Sequence, residues 1–198
     1  MNRLHIHSQT LLPRDLLHQL NSTNIMAFPK LQKIILTTSL QVDSNQGIGS
    51  SSGKALKNSP SKSLSGYLAV ELICGQKLKK TRARQFISGF QLRKGEIVGC
   101  QGTLRDFRLF SFLEKVLLGV LPKIREFSGL PFPKTKNLNP QRGISYGLKN
   151  FLLFPECENH YEVFEALEGF QITFMTTATS SQETALLLSG YQIPFEQL

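Results

Sequence analysis

Cysteine is scarce in this sequence, and long apolar runs are missing. The three cysteines, Cys74, Cys100 and Cys157, are odd in number, lie far apart and form no CxxC pair. We therefore expect neither a disulfide framework nor a zinc site, and a reducing compartment fits this usage. No segment approaches the ~18 consecutive apolar residues of a membrane span, so we expect a soluble protein without a membrane partner.

Patterns typical of metal sites, secretion signals and nucleotide sites are also missing. The four histidines, His5, His7, His18 and His160, do not form a ligand set. The first ten residues lack an apolar signal core, so secretion is not expected. The stretch "GIGSSSGKA" imitates a phosphate loop, but its glycine spacing is one residue short and Ala55 replaces the Mg²⁺-binding hydroxyl. The sequence therefore predicts no metal and no cofactor.

Catalytic constellations are not apparent either. No Ser-His-Asp or Cys-His arrangement can be argued from the sequence. An RNA-cleaving enzyme would need carboxylates or a histidine pair beside the basic residues, whereas the acidic residues lie in a different third of the chain. We therefore predict a binding protein and not an enzyme, and we interpret the acidic third as a solvated face that binds a basic partner.

Charge is distributed very unevenly along the chain. The net charge is +9, but residues 77–108 alone hold nine Lys and Arg against two acids, a net of +7. From residue 151 to the end there are seven Glu and no Lys or Arg. A clustered positive field attracts a polyanion and steers its approach, so the middle of the chain is the predicted nucleic-acid face.

Other features of the basic segment also fit RNA. Gly89 and Gly95 enclose "FQLRK", a loop that allows close backbone approach to phosphate. Thr103 and Arg105 are two residues apart on a predicted strand and so point the same way. A hydroxyl and a guanidinium on one face can contact a ribose 2′-OH and a phosphate.

Hydrophobic spacing predicts an α+β fold. We expect an antiparallel sheet with helices packed mainly on one face and basic loops projecting, in a single domain spanning residues 1–198. The histidine-bearing N-terminal segment is expected to be mobile. The predicted strands are 30–40, 98–105, 144–154 and 170–178, the predicted helices are 11–21, 63–75, 107–124, 159–169 and 180–191, and the predicted loops are a Ser/Gly-rich insertion at about 41–62 and the segment 125–143.

The basic segment resembles the signature of a known family. "GQKLKKTRARQFISGFQLRKGEIVGCQGTLR" is similar to the bacterial-type large-subunit ribosomal protein five family. Gly-Gln-Lys, T-[KR]-A-[KR], G-F-x-[IL]-R-x-G and G-C-x-x-T-L-R occur there in this order. The stretches "FLEKVLLGVLPKIREFSGL", "RGISYGLKNFLLFPE" and "GFQITFMTTATSSQETALLLSGYQIPF" extend the resemblance from about His5 to the end, except for the insertion.

The resemblance implies a structural constituent of the large ribosomal subunit, active in translation. Such proteins bind 5S rRNA and large-subunit rRNA in the central protuberance, beside neighbouring central-protuberance proteins. The implied RNA-binding residues are Gln76, Lys77, Lys79, Lys80, Arg82, Arg84, Thr103 and Arg105. The loop implied to face the P-site tRNA contains Ser88, Gly89, Phe90, Arg93, Lys94 and Gly95.

The resemblance also implies a bridge to a head protein of the small subunit. That bridge would involve the loop around 125–130 and the acidic stretch "ECENHYEVFEALEG". The chain departs from the family where Thr37-Thr38-Ser39 replaces Asn-Met-Gly, which affects an RNA contact expected there, and where Leu78 replaces Pro.

The C-terminal third resembles plant-type mitochondrial versions. We therefore expect a mitochondrial ribosome and synthesis inside the organelle, the alternatives being a bacterial or plastid ribosome. The alternative function is a free-standing RNA-binding regulatory protein.

Overall fold

The computed structural model describes residues 2–20, 24–39, 62–90, 92–125, 127–131, 143–165, 167 and 169–195. In chain order the helices and strands are α1 (Arg3–Thr10), α2 (Leu12–Leu20), β1 (Leu31–Ser39), α3 (Lys62–Cys74), β2 (Lys79–Arg82), β3 (Ile97–Leu104), α4 (Asp106–Lys115), β4 (Gly143–Leu148), α5 (Pro155–Glu158), α6 (Tyr161–Phe164), β5 (Phe170–Thr176) and α7 (Ser181–Gly190). Except for Lys62, which begins α3, the predicted insertion lies outside the described residues, as does most of the predicted loop 125–143.

The strands form a five-stranded antiparallel sheet in the order β2-β3-β1-β5-β4, which confirms the α+β prediction. Its strands bury alternate side chains, as one covered face requires. In β5, for example, Phe170, Ile172 and Phe174 are buried while Gln171 is exposed and Thr173 is half-buried. The uncovered positions are mainly Thr, Ser and Gln, so the second face of the sheet is polar.

The chain forms two compact units. The first comprises Met1–Ile35, Thr103–Gly147 and Gln171–Leu198, and the second comprises Leu36–Gly102 and Leu148–Phe170. In the first unit, α2 packs against α1 and α7, and α1 packs against α4. His5 meets Phe110 edge to face, with ring centroids 5.0 Å apart, and Phe110 in turn contacts Tyr191.

The core of the second unit is built around α3 and a cluster of phenylalanines. Helix α3 packs against α5 and α6. The Phe151 ring stacks on Phe170 at 4.7 Å between centroids, and Phe154 contacts the same ring at 5.6 Å. All three rings are buried. Gly169 precedes Phe170 where the chain passes so close to the Leu148 carbonyl that a Cβ would overlap it.

The predicted strands 30–40, 98–105 and 170–178 and the predicted helices 11–21, 63–75 and 180–191 are confirmed within a few residues. The end that Gly75 gives to α3 is also confirmed, because the left-handed Gly75 donates its N–H to the Glu71 carbonyl at 2.8 Å. None of the helices in these ranges is long and apolar enough to cross a membrane.

Four local predictions were wrong. The N-terminal segment forms α1, which begins where the Asn2 side chain accepts the Leu4 N–H at 2.9 Å. The strand predicted at 144–154 ends at Leu148, since Phe151 and Phe154 turn into the core. The helix predicted at 107–124 is α-helical only to Lys115. It continues as a π-helical turn over Val116–Val120 and a 3₁₀ turn that contains Pro122. The helix predicted at 159–169 spans only Tyr161–Phe164.

Candidate nucleic-acid interface

Strand β2 presents the first part of the basic segment. It pairs antiparallel with β3, with Lys79 opposite Gln101 and Thr81 opposite Gly99. Directly opposed residues share a face, so Lys79, Thr81 and Gln101 lie on the same side of the sheet. Lys79, Lys80 and Arg82 are exposed. A short, charged strand at the end of a sheet can therefore offer its cations to an external anion.

Lys80 lies on the other face of β2, beside α3. Its ammonium is 5.0 Å from the centroid of the Tyr67 ring, a cation–π contact. The Tyr67 hydroxyl donates to the Leu78 carbonyl at 3.2 Å, and the Leu78 N–H donates to Glu71 Oε1 at 3.3 Å. A side-chain hydrogen bond with Glu71 is also the main cause of the raised Tyr67 pKa. These contacts hold the turn that carries half-buried Gln76 and exposed Lys77.

The chain between β2 and β3 forms a two-stage hairpin. At its base, the Ala83 N–H donates to the Glu96 carbonyl at 2.8 Å, and the Gly95 N–H donates to the Ala83 carbonyl at 2.9 Å. Further out, Ile87 and Leu92 exchange two backbone hydrogen bonds of 3.1 and 3.2 Å. A 3₁₀ turn over Ser88–Phe90 lies between Ile87 and Leu92.

The predicted cationic loop residues Arg93 and Lys94 lie in a tight turn at the base of this hairpin. The backbone N–H of Arg93 donates to Glu96 Oε2 at 2.9 Å, and the Glu96 N–H donates to the Arg93 carbonyl at 3.2 Å. Gly95 has φ +88°, a conformation that L side chains rarely adopt. The Arg82 guanidinium donates to the Gly95 carbonyl at 3.5 Å.

Apolar exposure in this hairpin was not anticipated from the sequence. Phe86 is 67% exposed and Ile87 is 44% exposed. An exposed aromatic ring among cations is a platform on which a nucleobase can stack. The signal was available, because Phe86 closely follows Arg84 in a polar stretch, but a single phenylalanine is usually a core residue.

Thr103 and Arg105 lie at the end of β3 in the other compact unit. Thr103 alternates with buried Leu104, so it occupies the polar face of the sheet. Arg105 is exposed and extended, with φ −138° and ψ 164°, and it immediately precedes α4. Asp106 turns the chain into the helix at φ +51°. The Thr103–Arg105 alternation that the sequence predicted is therefore compatible with the backbone.

Hydroxyl groups occupy other positions on the polar face of each unit. In the first unit, Ser145 of β4 and Thr173 of β5 lie 2.9 Å apart between their hydroxyl oxygens. In the second unit, Thr37 and Ser39 are exposed at the family departure noted above. Thr38 between them is buried and donates to the Gly169 carbonyl at 3.4 Å. The two exposed hydroxyls can still serve as hydrogen-bonding groups for RNA.

The acidic residues lie mainly on α5 and α6. Glu158, Glu162 and Glu165 are exposed, and Glu165 accepts a hydrogen bond of 2.6 Å from the Tyr161 hydroxyl. Glu168 lies outside the described residues. In the first unit, Arg125 is exposed and Phe127 contacts Tyr146 edge to face at 5.8 Å.

The cysteines have no chemical activation. All three are buried, and burial raises the pKa of Cys100 and of Cys157 to about 11, so both thiols stay protonated at neutral pH. Among the described residues, no group of three His, Cys, Asp or Glu side chains is arranged to hold a metal ion.

An antiparallel sheet with one polar face, bordered by exposed cations and carrying no catalytic group among its described residues, defines a nucleic-acid-binding structural protein. The family model for the C-terminus of the uL5 ribosomal proteins matches residues 97–195. The chain is 36% identical to the large ribosomal subunit protein uL5m of Reclinomonas americana over 197 residues, which cover all of both chains.

Bacterial relatives are similar. The uL5 protein of Buchnera aphidicola subsp. Schizaphis graminum is 33% identical over 199 residues, again covering both chains. That of Streptococcus uberis is 35% identical over 177 residues, which cover 88% of this chain and 87% of the relative. The chain belongs to the uL5 family of large-ribosomal-subunit proteins, and its role is structural and not enzymatic.

Proposed function

We propose that this protein binds 5S rRNA in the central protuberance of the large ribosomal subunit, where it also contacts large-subunit rRNA and neighbouring proteins. The observation that carries the proposal is the row of exposed cations that begins at Lys77 and continues through β2 to Arg84. Glu96 is the only acid between Lys77 and Arg105, and its carboxylate accepts a backbone hydrogen bond inside its own turn. The positive charge of the segment therefore faces outward.

The recognition we propose is of RNA shape and not of sequence. Lysines and arginines neutralise phosphates, while Thr103 and the exposed hydroxyls of the sheet offer hydrogen bonds to ribose 2′-OH groups. The RNA-binding residues are those that the sequence indicated: Gln76, Lys77, Lys79, Lys80, Arg82, Arg84, Thr103 and Arg105. Lys80 would bind phosphate while its ammonium stays over the Tyr67 ring.

The hairpin between β2 and β3 is the proposed contact to P-site tRNA. Its two pairs of backbone hydrogen bonds make it a stiff projection, and Arg93 and Lys94 are exposed in the turn at its base. A stiff basic loop loses little conformational freedom when it meets a phosphate backbone. Phe86 adds a ring against which a base or ribose can pack.

The acidic helices are the proposed contact to a head protein of the small subunit. Exposed carboxylates on α5 and α6 repel RNA and attract basic protein, and opposite charges speed the re-formation of a contact that breaks as the subunits move. The full-length similarity to uL5m of Reclinomonas americana supports a mitochondrial ribosome, with synthesis inside the organelle. The alternative is a bacterial or plastid ribosome.

The test is a salt titration of RNA binding by the purified chain. If six to eight phosphates are neutralised, log Kd against log salt for a transcribed 5S rRNA should have a slope of roughly 4 to 7 in magnitude. An unstructured RNA of equal length should bind more weakly at every salt concentration. A weak slope, or equal affinity for both RNAs, contradicts the proposal. In cells, the chain should co-sediment stoichiometrically with large subunits, which a free-standing regulator would not do.

A further inference from the structure

Helix α3 exposes a row of three leucines. Leu64, Leu68 and Leu72 are 50%, 41% and 46% exposed, and their spacing of four residues places them on one face of the helix. The opposite face, which includes Ala69 and Ile73, is buried. The helix is therefore apolar on both sides, which is the composition of a helix that is covered all round.

The apolar surface continues on the neighbouring helix. Helix α6 packs against α3 and exposes Tyr161 and Val163, at 51% and 41%. Single exposed leucines are ordinary on protein surfaces, whereas a row of them beside further exposed apolar side chains indicates an interaction surface. We refer to Leu64, Leu68, Leu72, Tyr161 and Val163 together as the leucine face.

The charges around the leucine face favour one class of occupant. Glu158, Glu162 and Glu165 are exposed on α5 and α6, which are the two helices that pack against α3. These carboxylates repel RNA and attract Lys and Arg side chains. At the margin near β2, Lys80 lies over the Tyr67 ring, so the positive charge of β2 is separate from the carboxylates of α5 and α6.

We infer that the leucine face is a docking surface for an amphipathic segment of a basic protein in the assembled large subunit. Apolar side chains of that segment cover the three leucines, and its Lys and Arg side chains reach the carboxylates of α5 and α6. The inference assumes incorporation into the ribosome but is independent of how the chain binds 5S rRNA. It adds an apolar anchor on α3 to the proposed acidic contact surface.

Site-specific crosslinking in assembled particles tests the class of the occupant. A photoreactive phenylalanine replaces Leu64 or Leu68, purified large subunits are irradiated, and the products are identified by mass spectrometry. We expect a crosslink from both positions to one protein segment rich in Lys and Arg. A crosslink to RNA, to a second copy or within the chain, or failure to crosslink at both positions, overturns the inference.

A matched pair of double variants tests the apolar anchor. Leu64→Ser/Leu68→Ser removes two leucines that are 50% and 41% exposed, and the control Leu11→Ser/Leu17→Ser removes two that are 53% and 40% exposed. The first should lower the occupancy of the docked protein roughly tenfold, because apolar anchors carry most of an interface's free energy, and the control should not. Equal effects, or no effect, overturn the inference.

Binding of 5S rRNA by the free variants separates the two proposals. All four substitutions lie outside the proposed RNA-binding residues, so both double variants should bind 5S rRNA like the unaltered chain. Loss of RNA binding by the Leu64→Ser/Leu68→Ser variant with its fold intact would place RNA at the leucine face and overturn the inference. Weak RNA binding by the unaltered chain would instead contradict only the proposed 5S rRNA function.

Discussion

The backbone of Arg93 is held by the side chain of Glu96, whose Oε2 accepts the Arg93 N–H at 2.9 Å. The acid that sequence analysis counted against the basic segment is therefore part of the framework of the turn. It orders the loop that presents Arg93 and Lys94, and both of these side chains are exposed.

The first prediction concerns this hydrogen bond. Glu96→Ala should lower the free energy of unfolding by about 1 kcal/mol, because it leaves the Arg93 N–H without its acceptor. Glu96→Gln should cost less, since its amide oxygen can accept the same bond. Urea unfolding measures both variants, and an equal loss for Gln and Ala would show that the charge matters and not the acceptor.

The second prediction separates the two proposed RNA contacts. The double variant Arg93→Glu/Lys94→Glu should weaken tRNA placement in the peptidyl site while leaving 5S rRNA affinity nearly unchanged. Reversed charges on the turn repel the tRNA backbone. Toeprinting measures tRNA placement and filter binding measures 5S rRNA affinity. Loss of 5S rRNA affinity would contradict this division of roles.

The third prediction concerns Arg105 at the end of β3. Arg105→Ala should cost about 1–3 kcal/mol of 5S rRNA affinity, the range for a charge-assisted contact. Arg14→Ala removes another exposed guanidinium, from α2 outside the proposed interface, and serves as the control. Equal dissociation constants for the two variants, with both folded, would remove Arg105 from the interface.

The fourth prediction tests the packing of the second unit. Gly169→Ala should lower stability by roughly 1–3 kcal/mol, since the added Cβ would overlap the backbone carbonyl of Leu148. Gly147→Ala adds the same methyl group where no atom lies within 4 Å, and it should change stability little. Thermal unfolding compares the pair, and similar melting temperatures would contradict the packing that we describe.

The fifth prediction follows from the buried thiols. Burial raises the pKa of Cys100 and of Cys157 from 9.0 to about 11. Above pH 9 the unfolded chain therefore ionises its thiols while the folded chain keeps them protonated, so both groups cost stability as the pH rises from 9 to 11. Unfolding by urea should show this fall, and Cys100→Ala/Cys157→Ala should reduce it. An unchanged pH profile in that variant would contradict the assignment.

Apolar periodicity gave correct predictions where it was strong and wrong ones where long-range contacts decide. The alternation of Phe170, Ile172 and Phe174 predicted β5 because each inward residue is apolar. The run through Phe151 and Phe154 looked like a continuation of β4, but both rings leave the strand direction to pack against Phe170. That choice depends on a partner sixteen or more residues away, which local spacing does not reveal.

The candidate site was predicted in its residues but not in its internal contacts. The cluster of Lys and Arg and the glycine at position 95 are visible in the sequence. The position of Lys80 over Tyr67 depends on how α3 meets β2, and the role of Glu96 depends on the turn formed by the hairpin. The helix α1 was missed because its sequence is polar and its boundary comes from the Asn2 side chain.

Strand β2 is the last strand on one side of the sheet, and its residues are Lys79, Lys80, Thr81 and Arg82. An open strand with free hydrogen-bonding groups invites another chain to add to it, and lysine is a common deterrent. The cations that we assign to RNA would thus keep newly made copies from joining edge to edge before assembly. Once RNA neutralises them, that safeguard is no longer needed, because each copy is already held apart in its own particle.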